Sequence, residues 1–126
     1  NLFNLLEELS NKQLILGMIT NGMGQFQMDN IKALGIEKYF KAILVSEWEG
    51  LKKTDSNLFL RALNQLNVSP NHSVYVGDHP ENDVQAARKV GMKGIWKKDT
   101  QWSNVSAEFI IDDLMELPSL IQNFSR

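Results

Sequence analysis

The sequence predicts an α/β fold in which helices cover both faces of a mostly parallel sheet, giving three layers. Three observations lead there. Short apolar runs of strand length alternate with amphipathic segments of helical period along almost the whole chain. The apolar runs are continuous rather than alternating with polar residues, as expected of strands buried on both faces. The chain has 126 residues, 43% hydrophobic and 22% charged, enough for one domain with its own core.

Taken in order, "LFNLLEEL" places Leu2, Leu5, Leu6 and Leu9 at helical spacing and predicts the first helix. "LILGMIT" (residues 14–20) is a buried strand. "QFQMDNIKALG" reads as a helix that stops at Gly35, a natural residue just past a helix end. "AILVS" (42–46) is the second strand. "SNLFLRALNQLN" sets Phe59, Ala62, Leu63 and Leu66 on one helical face, with Asp55 or Ser56 as its N-cap. "SVYVGD" is the third strand, and "NDVQAARKVG" is a helix with Val84, Ala87 and Val90 on one face, ended by Gly91. "MKGIW" and "EFIID" (108–112) are the fourth and fifth strands. "LPSLIQNF" closes the chain as a helix, with Pro118 in the first turn, where proline is tolerated.

Composition removes several classes of function. A net charge of −2 leaves no basic field for nucleic acid or an anionic membrane. With no cysteine there is no disulfide, thiolate metal site or cysteine nucleophile, which suits a reducing cytosol and a cytoplasmic location. No apolar run reaches membrane-spanning length, and no basic-then-apolar leader opens these residues. The chain starts on Asn1 and runs straight into a helix, as expected of a piece of a longer protein or of a chain trimmed of a tag.

In parallel sheets ligands gather at the carboxyl ends of the strands, so the residues that end each strand bear the chemistry. "VYVGDHPENDV" ends a strand in Asp78 and sets Asp83 one short loop away. Two carboxylates at a sheet edge suit Mg²⁺, which takes one or two of them plus water and substrate phosphate. Equally, Asp83 can cap the helix that follows while Asp78 shapes the turn. "ITNG" offers the Thr20 hydroxyl and the backbone of Asn21 and Gly22 to a phosphate, or is an ordinary Asn-Gly turn. "LKKTDSNLF" brings Lys52 and Lys53 before a helix, as counter-charges for a phosphate or as a solvated pair. Trp48, Trp96 and Trp102 are expected as partly buried packing residues. His72 and His79 are expected at turns and on the surface, with His79 at the rim of the site.

Hydroxyl, lysine and acid pair, each after a strand on one sheet, are the parts that phosphate hydrolysis needs. Together these stretches resemble the haloacid dehalogenase-like hydrolases, and within them the phosphatase-like branch with a helical cap inserted early in the chain. "ITNG" resembles the second motif of that family, "LKKTDSNLF" the third and "VYVGDHPENDVQAARKVGMKGIW" the fourth. "SEWEGLKK" and "AEFIIDDLMEL" are similar to the same branch.

The resemblance implies a Rossmann-like fold, with Thr20 and Lys53 as catalytic residues. Thr20, Asn21, Gly22 and Lys53 would hold phosphate, and Asp78 and Asp83 would hold Mg²⁺, with Asp83 as the supporting acid. It implies a small phosphorylated metabolite as the partner.

Thr54 and Ser56 stand where the family usually has proline, yet Lys53 keeps its place. The family's first motif, an Asp-x-Asp pair whose first member is the nucleophile and whose second is the acid/base, is not found here. Residues 1–126 therefore look like the C-terminal portion of a core domain, without the nucleophile strand and cap. That strand is the central one in the family, so a gap is expected between the strands ending at Thr20 and Gly77. It would be filled by another copy of the chain, by an N-terminal piece, or closed by direct pairing. The alternative function is a non-catalytic, degenerate module that binds phosphate or Mg²⁺ or docks a partner.

Overall fold

The computed structural model describes residues 2–20, 24–52 and 55–122, in which helices and short parallel strands alternate as the sequence pattern requires. The helices are α1 (Leu2–Asn11), α2 (Gly24–Leu34), α3 (Ser46–Glu49), α4 (Ser56–Leu66), α5 (Ala86–Lys89) and α6 (Leu117–Gln122). The strands are β1 (Gly17–Thr20), β2 (Ala42–Val45), β3 (Val74–Gly77), β4 (Lys93–Lys97) and β5 (Phe109–Ile111). No helix among the described residues is long and apolar enough to cross a membrane.

Every strand pair is parallel, but the strands form two blocks. β1 pairs with β2, from Gly17 beside Ala42 to Thr20 beside Val45. β3 pairs with β4, from Val74 beside Lys93 to Gly77 beside Trp96, and β4 pairs with β5. Among the described residues β1 and β3 do not pair, so the expected gap exists and direct pairing does not close it. Burial points the same way. Ala42, Leu44 and Val45 of β2 are buried, whereas Met18, Ile19 and Thr20 of β1 are only half-buried. All four residues of β3 are half-buried, although its neighbour β4 buries Gly94, Ile95 and Trp96.

Two helices bridge the blocks, one on each face. Alternate residues of a strand face opposite sides. Leu16 of the segment entering β1 and Val74 and Val76 of β3 face Leu5 and Leu9 of α1, together with Ile95, Ile111 and Leu117. Leu6 of α1 also packs with Ile31, Ile36 and Met18. On the other face Phe59 and Leu63 of α4 meet Ile19 of β1, Tyr75 of β3 and Ala86, Ala87 and Met92. Phe59 is fully buried and lies edge-to-face on Tyr75, with ring centroids 5.0 Å apart. Gly17 sits under α4, where a Cβ would press on Leu66.

Caps end the helices much as the sequence suggests. Asp55 is the N-cap of α4, accepting the Asn57 N–H at 2.9 Å. Gly35 follows α2 at φ 71°, a left-handed position that glycine takes without strain. Several boundaries differ: β1 begins only at Gly17 rather than at residue 14, and β5 covers Phe109–Ile111 rather than 108–112. Ser46, expected to end the second strand, begins α3. β4 omits Met92 and runs on to Lys97. The helix expected from Asn82 instead opens as a π-helical turn, Pro80–Gln85, and only then becomes α5.

Candidate active site

Gly77 ends β3 and Asp78 follows it, exposed at the sheet edge. The chain then turns through His79 and Pro80 into the π-helical turn that carries Asp83. Asp83 is 3% exposed, the only buried charged residue among those described. It lies directly over Gly77: a Cβ there would collide with the Cβ, Cγ and Oδ2 of Asp83, so no larger residue fits. Asp83 Oδ2 accepts the His79 backbone N–H at 3.1 Å. Asp78 is held from the other side, its carbonyl accepting the indole N–H of Trp96 at 2.9 Å.

Asp83 is thus not the helix cap that a sequence reading allows. The N-cap is His79, whose Nδ1 accepts the N–H of Asn82 at 3.0 Å and of Glu81 at 3.2 Å. The imidazole also packs on Trp102, with ring centroids 5.0 Å apart. His79 was expected only at the rim, yet Pro80 at the first helical position already marks residue 79 as the cap.

Tyr75 lies two residues before Gly77 on the same face of β3. Its hydroxyl pKa is pushed far above the ordinary value, first by burial and then by the negative charges of Asp83 and Asp78. The same negative field favours a cation at the loop. Asp78 is open to solvent and offers the kind of hard oxygen donor that Mg²⁺ takes together with water and phosphate, while Asp83 is buried against Gly77 with one oxygen held by the His79 N–H. Among the described residues no three His, Asp or Glu side chains form a metal cage.

Thr20 is the last residue of β1, half-buried and paired across to Val45. Ile19 beside it packs in the same cluster as Tyr75, which ties the carboxyl end of β1 to that of β3. Asn21, Gly22 and Lys53 lie outside the described residues. Glu47, just past β2, reaches back across 23 residues to accept the N–H of Gly24 at 2.6 Å, a carboxylate at the start of α2. The ring of Trp48 lies against Gly24, where a Cβ would strike it. Of the three tryptophans, expected as partly buried packing residues, Trp96 is 5% exposed, while Trp48 and Trp102 pack on Gly24 and His79 but remain 52% and 40% exposed. A cavity of about 460 Å³ opens at the ends of β4 and β5 between Trp96, Trp102, Lys98, Asp99 and Asp112.

The sequence profile described as haloacid dehalogenase-like hydrolase matches residues 1–97. A glyceraldehyde 3-phosphate phosphatase of Pyrococcus furiosus is 32% identical over 121 residues, 94% of this chain and 50% of that protein. The structure of a 2-haloacid dehalogenase from Pseudomonas syringae superposes with a TM-score of 0.82 at 33% identity, covering 96% of this chain and 51% of that one. A hydrolase of the same superfamily from Bacillus subtilis, solved with bound magnesium, gives 0.87 at 25% identity, covering 94% of this chain and 54% of that one. The chain therefore spans about half the length of the proteins it matches.

Proposed function

This chain belongs to the haloacid dehalogenase-like hydrolase family, and we propose that it forms part of a Mg²⁺-dependent phosphatase acting on a small phosphomonoester. The observation that carries the reading is the pairing of Asp78 and Asp83 on one loop, one carboxylate open and one buried against Gly77. A dehalogenase has less use for a charged pair suited to a hard cation. When bound there, Mg²⁺ would neutralise phosphoryl oxygens as charge builds on them. Asp78 would be its direct ligand and Asp83 would orient the loop. Thr20, with Asn21 and Gly22, would donate hydrogen bonds to the phosphoryl group, and Lys53 would add a fixed positive charge.

The nucleophile in this proposal is an aspartate outside residues 1–126. Its carboxylate oxygen bonds to phosphorus as the substrate alcohol leaves, and water then cleaves the aspartyl-phosphate to free phosphate. The strand bearing it would fill the gap between β1 and β3, whose half-buried residues call for a neighbour. A second copy of the chain is the other candidate occupant. The substrate is a small phosphorylated metabolite, as the names of the relatives suggest, and a chain without cysteine suits a cytoplasmic location.

The test is hydrolysis of an aryl phosphate by the full-length protein with and without Mg²⁺. Turnover should require the metal and fall by roughly 10²-fold or more in Asp78→Asn, the scale of losing one electrostatic stabiliser. Residues 1–126 alone should be inactive. Turnover by those residues, abolished in Asp78→Ala, would show that the nucleophile is misplaced here. Mg²⁺ binding without turnover in the full-length protein would instead support the non-catalytic module.

A further inference from the structure

We propose that His79 is a positioning residue: its imidazole, acting as a neutral N-cap, fixes the loop that sets Asp78 and Asp83 in place. The inference rests on the metal-site reading above, but its geometry stands apart from it. Two hydrogen-bond exchanges lock residue 79 to the turn it opens. The imidazole Nδ1 accepts the N–H groups of Glu81 and Asn82, at 3.2 and 3.0 Å. In return the Asp83 carboxylate accepts the backbone N–H of His79 at 3.1 Å. This is the logic of a capping box, in which the cap residue and an acid in the first turn each satisfy the other's backbone. In an ordinary box the acid stands three residues after the cap. Here it stands four after, and the turn between is π-helical, with the His79 carbonyl accepting from both Asp83 at 3.0 Å and Val84 at 3.2 Å. The wider turn carries the Asp83 carboxylate over Gly77, where only a glycine leaves room for it.

The chemistry of the cap matters as much as its reach. Aspartate is among the best N-caps, but here it would add a third carboxylate beside Asp78 and Asp83. Nδ1 accepts the same hydrogen bonds without charge, which requires the ring proton to sit on Nε2. The ring also offers a face that a serine or asparagine cap lacks, and Trp102 packs on it 5.0 Å away, centroid to centroid. With the Trp96 indole on the Asp78 carbonyl at 2.9 Å, two tryptophans from the β4 side hold the loop at adjacent residues.

The experiment compares His79→Ala, which removes cap and ring, with His79→Asn, which removes the ring and keeps a capping side chain. Both are made in the full-length protein. Mg²⁺ affinity should weaken about tenfold in His79→Ala, at the low end for losing a group that orients a ligand, and return to within about threefold of the original in His79→Asn. Emission from Trp102 should change alike in both variants, because both lose the ring contact. Amide hydrogen exchange at residues 81–83 should quicken in His79→Ala and stay slow in His79→Asn. Equal loss of Mg²⁺ affinity in the two variants would overturn the capping role in favour of the ring. Unchanged exchange at 81–83 in His79→Ala would overturn it outright. If the unaltered protein binds no Mg²⁺, the metal-site reading fails, and the exchange comparison still decides whether His79 holds the loop.

Discussion

The two strand blocks reach the same sheet edge by different means. In the β3–β5 block the loop beyond the strand is fastened by directional bonds: the His79 cap, the Asp83 carboxylate on the His79 N–H, and the Trp96 indole on the Asp78 carbonyl. Further along, Glu108 accepts the N–H of Gly94 at 2.9 Å and pairs with Arg88 at 2.8 Å. The β1–β2 block is fastened chiefly by apolar packing, with Leu44 and Leu58 in one cluster and Leu6, Ile31 and Ile36 in another. Its polar ties past β2 include Glu47 on Gly24 and Arg61 on Glu49, each made by an exposed or half-buried side chain. Apolar contact is non-directional and fixes where a strand lies. Hydrogen bonds with angular preference fix how a carboxylate is presented. In the block that would present metal ligands, directional bonds fall on the ligand-bearing loop itself.

The largest effect should come where the blocks share a core. Phe59 touches Tyr75 of one block and packs with Ile19 of the other. Phe59→Ala should cost about 3–5 kcal/mol, measured as a fall in the denaturant midpoint at unchanged slope. Amide exchange should then quicken in β1 and β3 together. Exchange rising in only one of them would mean that the blocks are not coupled through α4.

A smaller effect that separates the blocks is expected at Gly77. In Gly77→Ala the new methyl must displace Asp83 or bend β3, a cost of about 1–3 kcal/mol for overpacking. Calorimetry should show lost Mg²⁺ binding, while exchange in β1 and β2 stays as before. Retained Mg²⁺ affinity would mean that the position of Asp83 does not matter to the metal.

These two sites mark what was legible in the sequence. All five strands were, because continuous apolar runs such as "AILV" and "VYVG" can satisfy their burial only inside a parallel sheet. Gly35 and the Asp55 cap were legible because capping is local in sequence. The division into two blocks was foreseeable only through family resemblance, since nothing in β1 or β3 states which strand should lie between them. The π-helical turn was not legible. Residues 82–91 have ordinary helical period, and the wide turn follows from the seating of Asp83 over Gly77, a tertiary contact. The tie between Glu47 and Gly24 spans 23 residues and leaves no local pattern at all.

That tie gives the next prediction. Glu47→Ala leaves the first N–H of α2 without its carboxylate and should cost about 1 kcal/mol. Glu47→Gln keeps an acceptor and should recover most of it. Thermal melts of the three proteins decide, and equal melting of all three would assign the hold on α2 to the packing of Trp48 on Gly24 instead.

The smallest effect should come from the most conspicuous ion pair. Arg88 and Glu108 meet at 2.8 Å, but their side chains are 35% and 26% exposed, and water screens a pair that open. Arg88 also donates to the Ser106 side chain at 3.2 Å. Removing it in Arg88→Ala leaves Glu108 on the Gly94 N–H, so the carboxylate keeps a partner and the strand keeps its tie. The cost should stay under about 1 kcal/mol and shrink further in high salt. Glu108→Ala should cost more than Arg88→Ala, since it orphans a backbone N–H of a buried strand, while Arg88 keeps its bond to Ser106. Urea unfolding at low and high salt ranks the two. The reverse order would mean that charge, rather than backbone satisfaction, gives the β3–β5 block its firmness.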